Sequence, residues 1–171
     1  MSTYAEKLGI FVDVQNIYYT ARDAFGKSFN YRALWQILSL KGEIIVANAY
    51  ATNRGDESQK KFQNALRHIG FNVLLKPYIQ RADGSAKGDW DVGITIDLID
   101  TICDPEVMLD TVVLLSGDGD FDLLLKRATR DHKIKTIVYG VPNLSAKSLI
   151  DAASEFRPID GNLLLKKPNR S

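Results

Sequence analysis

Cysteine, histidine and proline are scarce in these 171 residues: one, two and five respectively. The single Cys103 cannot form an internal disulfide, and its place at the end of the apolar stretch 99–103 predicts a buried thiol, not a catalytic one. His68 and His132 each fall near a predicted helix C-terminus, where histidine complements the helix dipole, and no metal-ligand spacing joins them. Charge of one sign is missing too. Lys and Arg total 22 against 21 Asp and Glu, a net charge of +1, so any nucleic-acid binding must rely on local patches. No apolar run approaches the ~18 residues of a membrane span. Residues 1–9 carry Glu6 and Lys7 and no signal-peptide core, so a cytoplasmic protein is expected. Nor is there a Gly-x-Ser-x-Gly elbow or a P-loop. Gly117-x-Gly119-x-x-Asp122 imitates a dinucleotide fingerprint, but the last glycine is absent and the acids around it would repel a pyrophosphate. Arg54-Gly55-Asp56 spells an adhesion tripeptide, for which chance is the better explanation.

What is present is a regular alternation. Hydrophobic residues make up 45% of the chain, enough for one domain over residues 1–165. A basic tail over 166–171 is expected to be disordered. Short apolar runs predict strands over 10–14, 44–50, 71–76, 111–116, 135–139 and 156–159. Amphipathic segments predict helices over 31–40, capped by Asn30, over 57–69, closed by Gly70, over 91–102, over 120–130, and over 145–153, capped by Ser145. Strands apolar on both faces and separated by helices imply an α/β fold: a parallel sheet of five or six strands, covered on both sides. The stretch 78–90, with Arg81, Asp83-Gly84 and Lys87-Gly88, reads as a mobile loop or a small hairpin.

Three hydrophobic runs end on aspartate. They are Ile10-Phe11-Val12-Asp13, the Lys87-Gly88-Asp89-Trp90-Asp91 segment, and Leu114-Leu115-Ser116-Gly117-Asp118-Gly119-Asp120. Ligands of open parallel sheets bind outside the carboxyl ends of the strands, where the winding reverses. A 3-2-1-4-5 order would bring Asp13 and Asp118 to that crevice, with Asp91 on its rim. Two carboxylates about 4 Å apart repel by roughly 4 kcal/mol at an effective dielectric of 20. Mg²⁺ or Mn²⁺, hard ions that prefer oxygen, would neutralise them, and a metal-bound water can act as a nucleophile. Helix capping is the competing explanation. Asp118, Asp120 and Asp122 surround a predicted helix start, and Asp91 can cap its own helix. Asp13 interrupts an apolar strand and caps no obvious helix, so three convergent acids favour the metal pocket.

Asp13-x-x-Asn16, the Lys87 to Val92 segment with Asp97, and Ser116-Gly117-Asp118-x-Asp120-Phe121 together resemble the NYN domain. More narrowly they resemble its LabA-like branch, within the PIN-like nuclease superfamily. The likeness covers about residues 8–160. It implies a Rossmann-like three-layer α/β/α sandwich and metal-dependent cleavage of RNA. Carried over residue by residue, it implies Asp13, Asp91, Asp118 and Asp120 as catalytic, metal-binding acids and Asn16 as the polar residue after strand one. Asp97 matches a recurrent acid but lies about 240° round an ideal helix from Asp91, so it ranks as secondary. Gly119 departs from the serine frequent there, and Asp89 is an additional acid beside Asp91.

The expected reaction is phosphodiester hydrolysis. Asp13, Asp91 and Asp118 hold Mg²⁺ or Mn²⁺, Asp120 orients the water or completes a second metal site, and Asn16 and Ser116 donate to the metal shell or phosphate. Basic residues must flank such a pocket if RNA is to approach. Arg81 and Lys87 are the first choices, then Arg54, Lys147, Lys126, Arg127 and Arg130, each of which solvated charge would also explain. Tyr18, Tyr19 and Trp90 are candidates for base stacking, and core packing explains Trp90 equally well. The expected partner is RNA, single strands included, and a homodimer would supply the surface that one small domain lacks. Two other readings stand beside the ribonuclease: a non-catalytic RNA-binding adaptor, and another Mg-dependent phosphoryl-transfer enzyme. A Toprim-like site would want glutamate where Asp13 stands, and a phosphatase would want a second aspartate where Gln15 stands.

Overall fold

The computed structural model describes residues 5–77, 79–80, 86–87 and 89–166, with only the backbone of 79–80 and 86–87. In chain order the elements are β1 (Lys7–Asp13), α1 (Val14–Phe25), α2 (Tyr31–Lys41), β2 (Glu43–Asn53), α3 (Glu57–Ile69), β3 (Asn72–Pro77), β4 (Ile79–Gln80), β5 (Ala86–Lys87), α4 (Asp91–Cys103), β6 (Thr111–Leu115), α5 (Asp122–Asp131), β7 (Lys135–Gly140), α6 (Lys147–Ala152) and β8 (Glu155–Pro158). Six strands form one sheet in the order β3-β2-β1-β6-β7-β8, and every pairing in it is parallel. The chain therefore winds outward in both directions from the β1/β6 pair, which places a crevice at their carboxyl ends.

Alternation along the central strands separates two cores. Leu8, Ile10 and Val12 of β1 and Val113 and Leu115 of β6 face α1, α2 and α3, which contribute Ile17, Ala21, Leu34, Leu38 and Leu66. Phe11 of β1 and Val112 and Leu114 of β6 face the other way, against Ile94, Leu98, Leu124, Leu125 and Leu149 of α4, α5 and α6. Strands buried on both faces explain why the apolar runs are continuous instead of alternating. Each such side chain contributes roughly 1.5–3 kcal/mol on burial, so the carboxyl edge rests on a rigid platform.

Several sequence expectations need correction. Helix α1 was not anticipated, and strand one stops at Asp13 because Asp13 itself caps α1. Its carboxylate accepts from Asn16 N at 3.3 Å, and Gly26 closes the helix in the left-handed region at φ 64°. The α1 periodicity is obscured by Gln15, Asn16 and two exposed tyrosines. Ser145 is not a cap: its hydroxyl donates to the Val141 carbonyl at 2.7 Å and Ala146 occupies the cap position. The segment after Asp118 enters as a 3-10 turn, Gly119–Phe121, before α5 begins at Asp122. Cys103 is exposed, not buried, because it ends α4 on the turn leading away from the core. The hairpin alternative for 78–90 survives as a two-residue antiparallel pairing of β4 with β5. Most of the basic tail, residues 167–171, lies outside the described residues.

Candidate metal centre

Asp13, Asp91 and Asp118 come from three elements far apart in sequence, and each offers a carboxylate oxygen within 4.8 Å of the others. Asp13 is the last residue of β1 and shares a face with Phe11, so its side chain turns toward α4. Ser116, one residue beyond β6 and fully buried, ties two of the acids together. Its hydroxyl donates to Asp13 Oδ2 at 3.3 Å and accepts from Asp118 N at 3.1 Å. Asn16 adds a brace from α1, its Oδ1 accepting from Gly117 N at 2.8 Å. A side chain at Gly117 would place its Cβ 2.7 Å from the Leu144 carbonyl oxygen, so the turn that presents Asp118 requires glycine. Asp118 Oδ1 in turn accepts from Asp120 N at 2.9 Å.

Asp91 opens α4. Trp90 positions that helix start by donating from Nε1 to the Ala51 carbonyl at 2.9 Å, with its ring edge-on to Tyr50 at 5.2 Å. Gly93 allows the close approach, because a Cβ there would lie 2.5 Å from the Trp90 ring. Asp89 Oδ1 accepts from Asp91 N at 3.2 Å, bringing a fourth carboxylate to the rim.

The electrostatics follow from this crowding. Two ionised carboxylates 4.8 Å apart repel by roughly 3 kcal/mol at an effective dielectric of 20. Burial, joined by the charges of Asp118 and Asp89, pushes Asp13 up to about 6 despite the hydrogen bonds from Asn16 and Ser116. Burial again, then a hydrogen bond and repulsion from Asp118 and the charges of Asp89 and Asp13, pushes Asp91 up to about 7. Among the described residues, no Lys, Arg or His forms an ion pair with any of the three. A cluster of hard oxygen donors with no counter-charge among the described residues could hold a divalent ion.

The remaining expected site residues divide. Asp120 is exposed on the 3-10 turn and stands outside the three-oxygen cluster. Asp97, too, is elsewhere: it accepts from the Tyr50 hydroxyl at 2.9 Å, as its angular offset on the helix requires. Ser116 and the Asn16 carbonyl make internal bonds that position the acids. Lys147 is exposed at the start of α6, which packs on the Gly119–Phe121 turn. Arg54 lies on the opposite face, its Nη2 donating to Tyr19 Oη at 3.4 Å. Lys126, Arg127 and Arg130 are exposed along the later part of α5. Arg81 and the Lys87 side chain lie outside the described residues. Gly119 has a local reason: a Cβ there would come 2.9 Å from that of Ala146, leaving little room for serine.

Lys76 was missed. Its ammonium donates to the Asp89 carbonyl at 3.2 Å and sits 4.6 Å from the Trp90 ring centroid. The available signal was its place at the end of β3, just before Pro77 and on the same carboxyl edge as Asp13.

A parallel sheet that reverses its winding at β1/β6, with three carboxylates converging at that edge, defines a Rossmann-like α/β domain whose crevice could hold a metal ion. Residues 7–160 match the NYN domain, and the chain belongs to that family. It is 28% identical over 166 residues to the Low amplitude and bright protein LabA of Synechococcus elongatus, covering 91% of this chain and 85% of that protein. It is 50% identical to a protein of unknown function from Vibrio parahaemolyticus, whose crystal structure superposes with a TM-score of 0.87 over 96% of this chain and 99% of the other. Among the described residues, no helix is long and apolar enough to cross a membrane.

Proposed function

We propose that the protein is a metal-dependent ribonuclease that hydrolyses phosphodiester bonds at the acidic edge of its sheet. The observation that carries this reading is the convergence of Asp13, Asp91 and Asp118 with no ion-pair partner among the described residues. These three would hold Mg²⁺ or Mn²⁺. The ion, when bound, supplies charge neutralisation at a phosphate oxygen and a more acidic water. The chain's own residues do the rest. Ser116 and Asn16 hold the β1 and β6 ends in register, so the carboxylates are positioned before substrate arrives. Asp120, exposed beside Asp118, orients the attacking water as its proton leaves. Lys147 and Lys76 offset the repulsion between the acids and the RNA backbone. A homodimer would extend the surface available to a strand, and size-exclusion chromatography with light scattering tests that.

The decisive assay is cleavage of single-stranded and structured RNA with Mg²⁺ or Mn²⁺. Cleavage should be abolished by EDTA and reduced at least ~100-fold by Asp118→Asn, the scale of losing a metal ligand. Equal activity of the variant would indicate a contaminating nuclease. Binding of RNA without cleavage would instead favour the adaptor reading.

A further inference from the structure

On the face of the sheet opposite the acids, α1, the β2–α3 turn and α3 enclose a cleft of about 480 Å³. Its walls are aromatic: Tyr18, Tyr19, Phe29, Tyr31 and Phe62. Tyr31 meets Phe29 edge-on at 4.8 Å and lies tilted to Phe62 at 5.8 Å between ring centroids. Tyr18 and Tyr19 are about half exposed at the mouth. This volume lies in the range of small-molecule sites.

Two polar groups inside the cleft are anomalous. Gln63 is 6% exposed and Tyr31 7%, yet neither the Gln63 amide nor the Tyr31 hydroxyl has a hydrogen-bond partner among the described residues. Polar groups of residues this well covered are usually hydrogen-bonded within the protein. No described side-chain polar atom is both sealed from solvent and unpartnered, so these two groups open on the cleft that they line. Burial first, and the Asp13 charge second, raise the Tyr31 hydroxyl well above its usual range, so it remains protonated. The cleft therefore offers a hydroxyl and a carboxamide, both able to donate and accept, between aromatic walls. A planar heteroaromatic ring with donors and acceptors on its edge satisfies all of them. Nucleobases have that chemistry, and proteins hold unpaired bases by stacking combined with edge hydrogen bonds. The cleft also adjoins the acids. Val14 and Gln15, which follow Asp13 directly, form part of its wall.

We propose that this cleft binds one unpaired nucleobase of an RNA strand whose backbone crosses the acidic edge, with Tyr31 and Gln63 bonding the base edge. That the base belongs to RNA rests on the ribonuclease reading; the chemistry of the cleft does not.

The test measures anisotropy of labelled single-stranded RNA octamers of A, C, G and U with Mg²⁺, in an Asp118→Asn background that prevents cleavage. At least one octamer should bind, and Tyr31→Phe and Gln63→Leu should each weaken it about tenfold, as for a lost directional hydrogen bond. An octamer of the same length lacking bases should bind weakly and respond to neither substitution. Tyr31→Phe should melt at or above the parent temperature, since it removes a hydroxyl with no partner. Equal affinities of parent and both variants for all four octamers would overturn the site, as would a melting temperature clearly lowered by Tyr31→Phe. Nucleoside monophosphates binding as tightly as octamers, with the same dependence on both residues, would assign the cleft to free nucleotides and overturn the strand. Two further outcomes separate this site from the ribonuclease reading. Wild-type protein that never cleaves RNA but binds it through Tyr31 and Gln63 keeps the base site and ends that reading; cleavage with unchanged binding in both variants does the reverse.

Discussion

The two sides of the sheet's carboxyl edge meet at Asp13 and are built from opposite chemistry. On the α4/α5 side, carboxylates crowd together and their backbone surroundings are tightly braced, by Ser116, Asn16 and the Trp90 indole. On the α1/α3 side, aromatic rings surround two polar groups that nothing braces. The first side is unfavourable by charge repulsion, which a cation relieves. The second leaves a hydroxyl and a carboxamide open to the cleft with no protein partner, which a hydrogen-bonding ring would supply. One edge thus carries two distinct unmet demands, and they can be separated by mutation.

The largest effect should come from the acidic side, where Asp118→Asn cuts cleavage by at least ~100-fold while leaving the aromatic cleft intact. Stability should separate the two sides next. The folded protein favours neutral Asp13, since its carboxyl sits at about 6 in the fold and near its ordinary value when unfolded. That preference is complete at pH below the unfolded value and is lost as pH rises through about 6. Metal-free protein should therefore lose roughly 2 kcal/mol through Asp13 between pH 4 and 7, measured by chemical denaturation. Asp13→Asn keeps an oxygen to cap α1, and its profile should be flatter. Sequence-distant but smaller effects test the scaffold. Tyr50→Phe removes the bond to Asp97 and should cost about 1 kcal/mol. Neither it nor Asp97→Asn should alter divalent-ion affinity by more than about twofold, because Asp97 stands outside the cluster.

The acidic edge was more legible in sequence than the cleft, for physical reasons. A continuous apolar run ending on aspartate is informative because a buried strand has few other reasons to stop on a charge. Asp13 and Asp118 carry that signal, and the parallel order brings them together. Asp91 was readable only as an ambiguous cap, since the same residue both opens α4 and faces the acids. Asp13 proved to be a cap as well as a member of the cluster, so capping and a place in the cluster were never exclusive. Ser116 is fully buried and bonds Asp13 and Asp118 N, a role the sequence alone did not separate from a contact with phosphate. Tyr31 and Gln63 were invisible. Tyr31 reads as an ordinary helix start and Gln63 as the polar face of α3, and the packing of α2 against α3, with α1 as the further wall, brings them into one cleft. Cys103 shows the converse error, since an apolar neighbourhood in sequence does not prevent a helix end from projecting.

The most direct measurement is calorimetric titration of Mn²⁺ into metal-free protein at pH 6 and pH 8. Saturable binding at pH 8 is expected, weaker at pH 6 because Asp91 at about 7 and Asp13 at about 6 must give up protons to bind the ion. The Asp13→Asn, Asp118→Asn double variant should show no such binding at either pH. Heats that are indistinguishable between wild type and that variant at pH 8 would contradict the assignment of these carboxylates to a metal.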